Sequence, residues 1–180
     1  AERPGFRALL RRRQDEKDYG MEFFDDGECF EIVCIYKRDS AVMRHNAGVD
    51  PSKRVRSGDL LVSVNGLSGN TQEMSAELRA RAEVACEFAR FEHFNVQITK
   101  SGPLGIDVVH THRDLGVSLA LMGIAEGPIT RWNDEHPEAQ VQRLDRIVAV
   151  NSRRGNPEEL KELLRSSSGV VTLTIARRPR

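Results

Sequence analysis

The chain has 180 residues, of which 39% are hydrophobic and 30% are charged. Its 27 Lys and Arg residues balance its 27 Asp and Glu residues, which excludes a global electrostatic attraction to nucleic acid or to an anionic membrane. No apolar run approaches the ~20 residues that span a bilayer. We therefore expect no nucleic-acid partner, and membrane contact only of a peripheral kind.

The first copy of a repeated pattern occupies the N-terminal half of the chain. Alternating apolar residues and turn signals predict its elements in chain order. These are strands over 6–13, 21–24 and 29–36, a short helix over 40–46, a strand over 60–64, a helix over 71–81 and a strand over 84–91. Asn65-Gly66 is a hairpin-turn signal.

The second copy predicts the same elements in the same order. Asn156-Pro157 followed by two Glu residues is a strong helix start, with a cap, Pro at the first helical position and acids near the positive end of the macrodipole. The predicted elements are strands over 94–99, 106–109 and 117–124, a short helix over 128–132, a strand over 146–150, a helix over 157–165 and a strand over 170–175.

The clearest sign of repetition is one motif that occurs twice. Residues 55–66 (VRSGDLLVSVNG) return 86 positions later as residues 141–152 (VQRLDRIVAVNS). A long period that occurs only twice differs from the short, numerous units of solenoid proteins. It indicates two copies of one small domain, placed at 1–91 and 92–180, each long enough for a small core of its own.

The connection between the two copies is very short. Only the run Phe91-Glu92-His93 separates the last predicted strand of the first copy from the first strand of the second. It contains no Gly, Ser or Pro that would make a flexible linker. We expect the two domains to pack against each other as a fixed tandem unit.

The three cysteines, Cys29, Cys34 and Cys86, are odd in number and have no paired spacing. This argues against a disulfide framework and favours buried, reduced thiols in a reducing compartment. We expect a cytoplasmic location, which includes the inner face of a membrane. The sequence begins at Ala1 without a secretory leader, and we expect it to be a segment of a longer protein.

The repeated motifs resemble those of the PDZ domain family over essentially the whole chain. Residues 58–66 resemble the family's Gly-Asp-x-Ile-x-x-Val-Asn-Gly strand, residues 103–106 resemble its Gly-Leu-Gly-Phe loop, and residues 160–177 resemble its last helix and strand. The resemblance implies a mixed β and α fold with two PDZ-like domains in tandem. Each would be a partly open barrel or sandwich of five or six strands with two helices.

The resemblance also implies a function, which is to bind the free C-termini of other proteins as a scaffold or adaptor. The ligand would add as an antiparallel strand to the strand after the loop, beside the second helix. A nest of backbone N–H groups at Leu104, Gly105 and Ile106 would take the terminal carboxylate. The further peptide-binding positions expected in this copy are Lys100 near the carboxylate, Pro103, Val108 and Leu164 around the apolar pocket, and Pro157 and Lys161 on the helix.

Selectivity in the second copy is expected to differ from the common family preference. Many family members have a His at the start of the second helix, where this chain has Pro157, which has no side-chain donor. Lys161, one turn further on, faces the groove by helical spacing and would favour an acidic ligand residue. Leu144 and Ser152 stand where the family usually has Gly, which puts the turn geometry around Asp145 in question.

The first copy departs further from the family pattern. Its expected peptide-binding positions are Tyr19, Gly20, Met21, Phe23, Thr71, Ser75 and Leu78. Several carboxylates surround this loop, Asp18 among them, and they would repel an incoming carboxylate. We expect the second copy to be the better binder of C-termini. The first would prefer basic or internal peptides or serve mainly as a packing partner.

Other function classes leave weaker signals. His110 and His112 would share a face of a strand, but no third metal ligand is apparent, so no metal or cofactor is expected. No nucleophile elbow, zinc helix or phosphate loop is present, so we expect no enzyme activity in this chain. Two alternatives remain open. One is the regulatory segment of a larger enzyme such as a serine protease, and the other is a peripheral module whose Arg11–Arg13 run or C-terminal arginines contact anionic lipid, although such runs are usually solvated.

Overall fold

The structure is a computed structural model, and it describes residues 5–36, 38–111 and 118–179. The chain divides into two compact units, unit 1 and unit 2, whose boundary in sequence lies between Phe91 and Glu92. Within the described ranges no helix is long and apolar enough to cross a membrane.

The described residues of unit 1 form six strands and two helices. They are β1 (Gly5–Arg11), β2 (Met21–Asp25), β3 (Phe30–Ile35), α1 (Ala41–Ala47), β4 (Leu60–Val64), β5 (Leu67–Ser68), α2 (Thr71–Ala80) and β6 (Glu83–Ala89). One antiparallel sheet has the order β1-β6-β4-β3-β2, with β5 paired to β4. Asn65 and Gly66 connect β4 to β5 with φ angles of 51° and 82°, so the predicted turn is confirmed and is of the I′ kind.

Unit 2 repeats this arrangement. Its described elements are β7 (Glu92–Lys100), β8 (Ile106–His110), β9 (Leu119–Ile124), α3 (Pro128–Glu135), β10 (Arg146–Val150), α4 (Pro157–Ser166) and β11 (Gly169–Arg177). The sheet order is β7-β11-β10-β9-β8, which matches unit 1 strand for strand apart from the short β5. The predicted strand over 117–124 is observed from Leu119 onward, while Val117 lies outside the described residues.

Neither sheet closes on itself among the described strands. The first and second strands of each unit lie at opposite edges, so β2 and β8 are edge strands. The expected fold class, mixed β and α with two partly open PDZ-like domains, is confirmed by this topology. An edge strand presents unpaired N–H and C=O groups to a further strand, which makes β2 and β8 the places where a peptide could add.

The second helix of each unit packs on its own core. Met74 and Leu78 of α2 are buried in the core of unit 1, and Leu160 and Leu164 of α4 in that of unit 2. The start of α4 is confirmed where the sequence placed it. The N–H of Glu159 donates to the side-chain oxygen of Asn156 at 3.0 Å, and the N–H of Asn156 donates to the Glu159 carboxylate at 2.9 Å, forming a capping box.

The connection between the units is shorter than the sequence indicated. β6 ends at Ala89 and β7 begins at Glu92, so only Arg90 and Phe91 connect them. Glu92 and His93, expected in the connection, belong to β7 because β11 offers them pairing partners as far as Arg177. The expected fixed packing of the two domains stays a prediction.

The cysteines are all free thiols, as the sequence indicated, but only two of them are buried. Cys29 and Cys86 are buried, and burial raises the pKa of the Cys86 thiol to about 12. Cys34 is only half-buried, and its Sγ lies 3.3 Å from the Glu22 carboxylate on the neighbouring strand. The expectation of burial is therefore wrong for Cys34.

Candidate functional site

A groove in unit 2 lies between the edge strand β8 and the helix α4. Ile106 and Val108 of β8 pack on the same apolar cluster as Leu160 and Leu164 of α4. At the far end His110 Nε2 of β8 lies 2.9 Å from Glu158 Oε1 of α4. The strand edge and the helix therefore face each other along the length of β8, which is the arrangement that strand addition requires.

The loop that precedes β8 is built around Gly105. Its φ is +70°, in the left-handed region that favours glycine, and a Cβ there would lie 2.7 Å from the Glu126 oxygen and 2.8 Å from the Ala125 oxygen. The Gly105 carbonyl accepts a hydrogen bond from the Ala125 N–H at 2.7 Å, on the β9 side. Because C=O and N–H point in opposite directions across a trans peptide, the Ile106 N–H is aimed away from β9 and toward the groove.

A cluster of apolar side chains lies beside this loop. Leu104 and Leu164 are 7% and 8% exposed, and Ile106 and Val108 are half-buried on one face of β8. The structure therefore brings together four of the predicted pocket residues. Pro103 is exposed at the entrance to the loop. A short apolar side chain can be buried here next to N–H groups that are suited to a carboxylate.

The Lys100 side chain contacts the end of α4, which the sequence did not predict. Its Nζ donates to the carbonyl oxygens of Leu164 at 2.6 Å, Arg165 at 3.1 Å and Ser167 at 2.8 Å. These carbonyls are at the C-terminal end of α4, where helical carbonyls lack partners within the helix. The ammonium thus caps the helix that forms the pocket wall, and the predicted contact of Lys100 with a ligand carboxylate stays a prediction.

The far end of the unit 2 groove contains a charged group that the sequence did not reveal. Pro157 is buried, and Lys161 Nζ lies 3.9 Å from Glu158 Oε1, the atom that His110 also approaches. The His110 contact lacks the geometry of a hydrogen bond, so its attraction is electrostatic and depends on a protonated ring. His110 shares the inward face of β8 with Ile106 and Val108, and that alternation was the signal available in the sequence.

No metal site is supported by these residues. Among the described residues no three His, Cys, Asp or Glu side chains are grouped so that they could hold a metal ion. His112, the expected partner of His110, lies outside the described residues.

Unit 1 has the equivalent groove between β2 and α2. Gly20 has φ +88°, and a Cβ there would overlap the Ser40 side chain. The Gly20 carbonyl accepts from the Tyr36 N–H at 3.1 Å, and the Tyr19 carbonyl accepts from the Val42 N–H at 3.2 Å. With both carbonyls turned into the domain, the N–H groups of Gly20 and Met21 are aimed the other way, as in unit 2.

The predicted side chains of the unit 1 groove differ in their surroundings. Met21, Thr71 and Leu78 are buried, while Phe23 is half-buried with its ring 5.1 Å from that of Phe30. Ser75 Oγ accepts a hydrogen bond from Arg79 at 2.9 Å. The hydroxyl of Tyr19 donates to the Arg81 carbonyl at 2.8 Å, so this ring anchors the loop to the end of α2.

One residue of the unit 1 loop has a role that the sequence did not show. The Gly20 N–H donates to Asp18 Oδ1 at 2.9 Å, so a carboxylate already accepts from the loop. In the sequence Asp18 counted only as one of several repelling charges. The contact depends on the local loop conformation, which the sequence pattern did not specify.

The basic runs lie at the surface, and several of their cations have partners within the fold. Arg11 pairs with Glu83, and Arg13 pairs with Asp39. Arg12 donates to the carbonyls of the loop and of the α2 end, and Arg177 pairs with buried Asp145. Arg180 lies outside the described residues. The Arg11 and Arg13 side chains are exposed, as expected, whereas Arg12 and Arg177 are partly buried against the fold.

The chain was compared with known families, proteins and structures. No protein-family model and no curated protein matches it. Among solved structures it is similar to INAD PDZ45 in complex with NG2 peptide, with 18% identity and a TM-score of 0.40 over 98% of this chain and 90% of the other. It is also similar to INAD PDZ45 with NORPA CC-PBM, with 16% identity and a TM-score of 0.39 over 98% of this chain and 92% of the other. INAD PDZ3 in complex with the TRP channel tail has 29% identity and a TM-score of 0.36 over 46% of this chain and 84% of the other.

Proposed function

We propose that unit 2 binds the C-terminal tails of other proteins by strand addition, and that the chain acts as a scaffold or adaptor module. The observation that carries this is the Gly105 loop beside the open edge of β8. The Gly105 carbonyl is held on the β9 side by Ala125, which leaves the Ile106 N–H aimed into the groove. A terminal carboxylate is a ligand that N–H groups at such a position can take.

The rest of the groove supports the same ligand. An added strand would make main-chain hydrogen bonds to β8, and its last side chain would enter the pocket of Leu104, Ile106 and Leu164. Net hydrogen bonds of about 1 kcal/mol each, with about 1.5–3 kcal/mol for the charged end, amount to micromolar affinity after the ordering costs. Such weak, reversible binding suits an adaptor.

Unit 2 is proposed as the principal binder, and no catalytic residue is assigned in either unit. A regulatory segment of a larger enzyme would use the same groove to bind peptides. That alternative differs from this proposal only in the protein to which the segment would belong. Lipid contact is the weaker alternative, because Arg12 is occupied by carbonyls and an acid lies beside each of the exposed Arg11 and Arg13 side chains. Three free thiols favour a reducing compartment, and we propose a cytoplasmic location on that basis.

Fluorescence polarisation with a degenerate nine-residue peptide library tests the proposal. The library ends in Val, Leu or Ile and is prepared with a free or an amidated C-terminus. Free-acid peptides are expected to bind at micromolar concentration, and amidation should weaken binding at least tenfold. Gly105→Ala should abolish the part of the binding that needs a free C-terminus, because its Cβ would meet the Ala125 and Glu126 oxygens.

Gly102→Ala is the matched control, since a Cβ at Gly102 meets nothing within 4 Å. It should bind as the wild type does. Equal binding of free-acid and amidated libraries would overturn the proposal.

A further inference from the structure

We infer that Asp18 is a built-in carboxylate that occupies the loop of unit 1, so that the unit 1 groove takes an internal chain segment instead of a free C-terminus. The inference rests on the proposed function in one respect, which is that a loop of this kind binds a terminal carboxylate. The contact that carries the inference lies in unit 1 and does not depend on unit 2. Asp18 Oδ1 lies 2.9 Å from the Gly20 nitrogen, at hydrogen-bond distance.

The direction of the peptide groups shows where this contact lies. The Tyr19 carbonyl is bound by the Val42 N–H, and the Gly20 carbonyl by the Tyr36 N–H. Both carbonyls therefore point into the domain, and the Gly20 and Met21 N–H groups point to the open side of the loop. Asp18 takes the first of these donors, at the place where a ligand carboxylate would need it.

A second donor holds the carboxylate in place. The side chain of Tyr36 hydrogen-bonds to Asp18, and burial together with this bond raises the pKa of the Tyr36 phenol. A free C-terminus would have to displace Asp18 from both donors. If it bound without displacing Asp18, it would place two like charges next to each other, which costs more in a partly desolvated loop than in water.

Unit 2 lacks this device. The position that corresponds to Asp18 is Pro103, which has no hydrogen-bonding side chain. The two units otherwise share the left-handed glycine, with φ angles of +88° at Gly20 and +70° at Gly105. In each unit the carbonyl of this glycine also accepts a hydrogen bond from the residue that follows the third strand, Tyr36 in unit 1 and Ala125 in unit 2. The two loops therefore have the same backbone geometry and differ in whether a carboxylate side chain occupies the loop, as Asp18 does in unit 1.

The groove of unit 1 is otherwise suited to a peptide. β2 is the open edge of its sheet, and Phe23 and Leu78 offer apolar surface beside it. Main-chain hydrogen bonding to β2 does not require a chain end. The occupant is therefore an internal segment in extended conformation, which brings no carboxylate to Asp18.

Amide NMR of the full chain tests the inference, because Gly20 and Gly105 report the two loops separately. The probes are the free-acid library described above and a version acetylated at the N-terminus and amidated at the C-terminus. In the wild type the free-acid library should move the Gly105 and Ile106 signals and leave Gly20 unmoved. The capped library should move signals along β2, and a β2 unaffected by the capped library would overturn the inference.

Two reciprocal variants sharpen the result. Asp18→Ala should let the free-acid library move Gly20 and Met21, and Pro103→Asp should weaken free-acid binding at unit 2 at least tenfold. Asp15→Asn, which removes a nearby negative charge without a contact to Gly20, is the control and should leave Gly20 unmoved by the library. If the free-acid library left the Gly105 signal unmoved, the result would count against the proposed function only. If the same library moved the Gly20 signal of the wild type, it would overturn this inference.

A measurement without peptide guards against a misfolded Asp18→Ala variant. In the wild type the Gly20 amide proton should shift as the Asp18 carboxyl is protonated by acid, because the two are hydrogen-bonded. A Gly20 proton that is insensitive to the Asp18 charge would overturn the inference whatever the variants do.

Discussion

Lys100 Nζ donates a hydrogen bond of 2.6 Å to the carbonyl of Leu164, which couples the end of β7 to a buried residue of α4. The same ammonium binds the Arg165 and Ser167 carbonyls. Unit 1 uses a guanidinium for the same task, since Arg12 donates to the Arg79 carbonyl at 3.1 Å and the Arg81 carbonyl at 2.6 Å. In both units a cation at the end of the first strand fixes the C-terminal end of the second helix.

Replacing Lys100 by Met should therefore act on stability and on binding together. The α4 carbonyls lose a charged donor, which should lower the free energy of unfolding of unit 2 by about 2 kcal/mol. The freed helix end would also let Leu164 move, so free-acid peptide affinity should fall severalfold. Urea unfolding followed by the fluorescence of Trp132, the single Trp and a residue packed on the unit 2 core, measures the first effect.

Lys161→Met is the control for Lys100→Met, because it removes the same charge from a side chain that approaches Glu158 at 3.9 Å. It should change the stability of unit 2 by less than about 0.5 kcal/mol. A Lys100→Met protein as stable as the control would show that the carbonyl contacts contribute little.

Buried ion pairs hold the repeated Asp turn in each unit, and Arg177→Met tests the pair of unit 2. The side chain of Asp145 is 4% exposed and lies 2.5 Å from Arg177, while Asp59 and Arg90 form the equivalent pair at 3.0 Å in unit 1. Removing Arg177 leaves a buried carboxylate without its partner, which should destabilise unit 2 by about 3–5 kcal/mol. Arg165→Met breaks an exposed pair with Glu162 and should cost less than about 1 kcal/mol in the same Trp132 unfolding assay.

The turn before Asp145 keeps the backbone geometry of the unit 1 turn although Leu144 stands where unit 1 has Gly58. Leu144 has φ +73° where Gly58 of unit 1 has +88°, and the Asp145 N–H still bonds the Gln142 carbonyl. A left-handed leucine is strained by about 1–2 kcal/mol, and it is 59% exposed, so little packing compensates. Leu144→Gly should stabilise unit 2 by about 0.5–1 kcal/mol after the entropy cost of glycine.

Leu144→Ala provides the control, because it shortens the side chain and keeps the left-handed backbone. Its stability should stay close to that of the wild type. In unit 1, Gly58→Ala should cost about 1 kcal/mol, because a Cβ there meets nothing within 4 Å and only the backbone is strained. Stabilisation by both Leu144 variants alike would point to the exposed side chain and not to the backbone.

Local signals in the sequence were sufficient to predict the order of the helices and strands. Asn65-Gly66 fixes a hairpin turn and Asn156-Pro157 fixes a helix start through contacts within three residues, so a pattern in one stretch of chain reveals them. The Gly105 loop was recognisable from the resemblance of residues 103–106 to a known motif, and the structure explains its glycine by the left-handed backbone and the close Ala125 oxygen.

Long-range contacts could not be predicted in the same way. Lys100 meets Leu164 across 64 residues and Arg177 meets Asp145 across 32, so the sequence suggested a ligand contact for Lys100 and a solvated terminus for Arg177. The extent of β7 was underestimated because its first residues owe their strand conformation to pairing with β11. The role of Asp18 depends on which way a single peptide group faces, which only the folded loop determines.

The acid stability of unit 1 should depend on Glu16, which precedes the loop that contains Gly20. Its carboxylate accepts hydrogen bonds from Arg44 at 2.7 Å and from the Arg13 N–H at 2.7 Å, and these lower its pKa from 4.5 to about 2. Because the folded pKa lies below the unfolded one, the stabilisation is fully present above about pH 5 and is lost as the pH falls toward 2. Glu16→Gln should therefore be less stable than the wild type at pH 7, with a difference that shrinks on acidification.

The measurement is urea unfolding at a series of pH values between 2 and 7, followed by the amide signals of β1 and β6. Arg44→Met removes the largest cause of the lowered pKa, so its stability should also approach that of the wild type as acid is added. The double variant should be less destabilised than the sum of the two single variants, because both remove one interaction. A wild-type advantage over Glu16→Gln that stays constant from pH 7 to pH 2 would show that the carboxylate is not held in its charged form by Arg44.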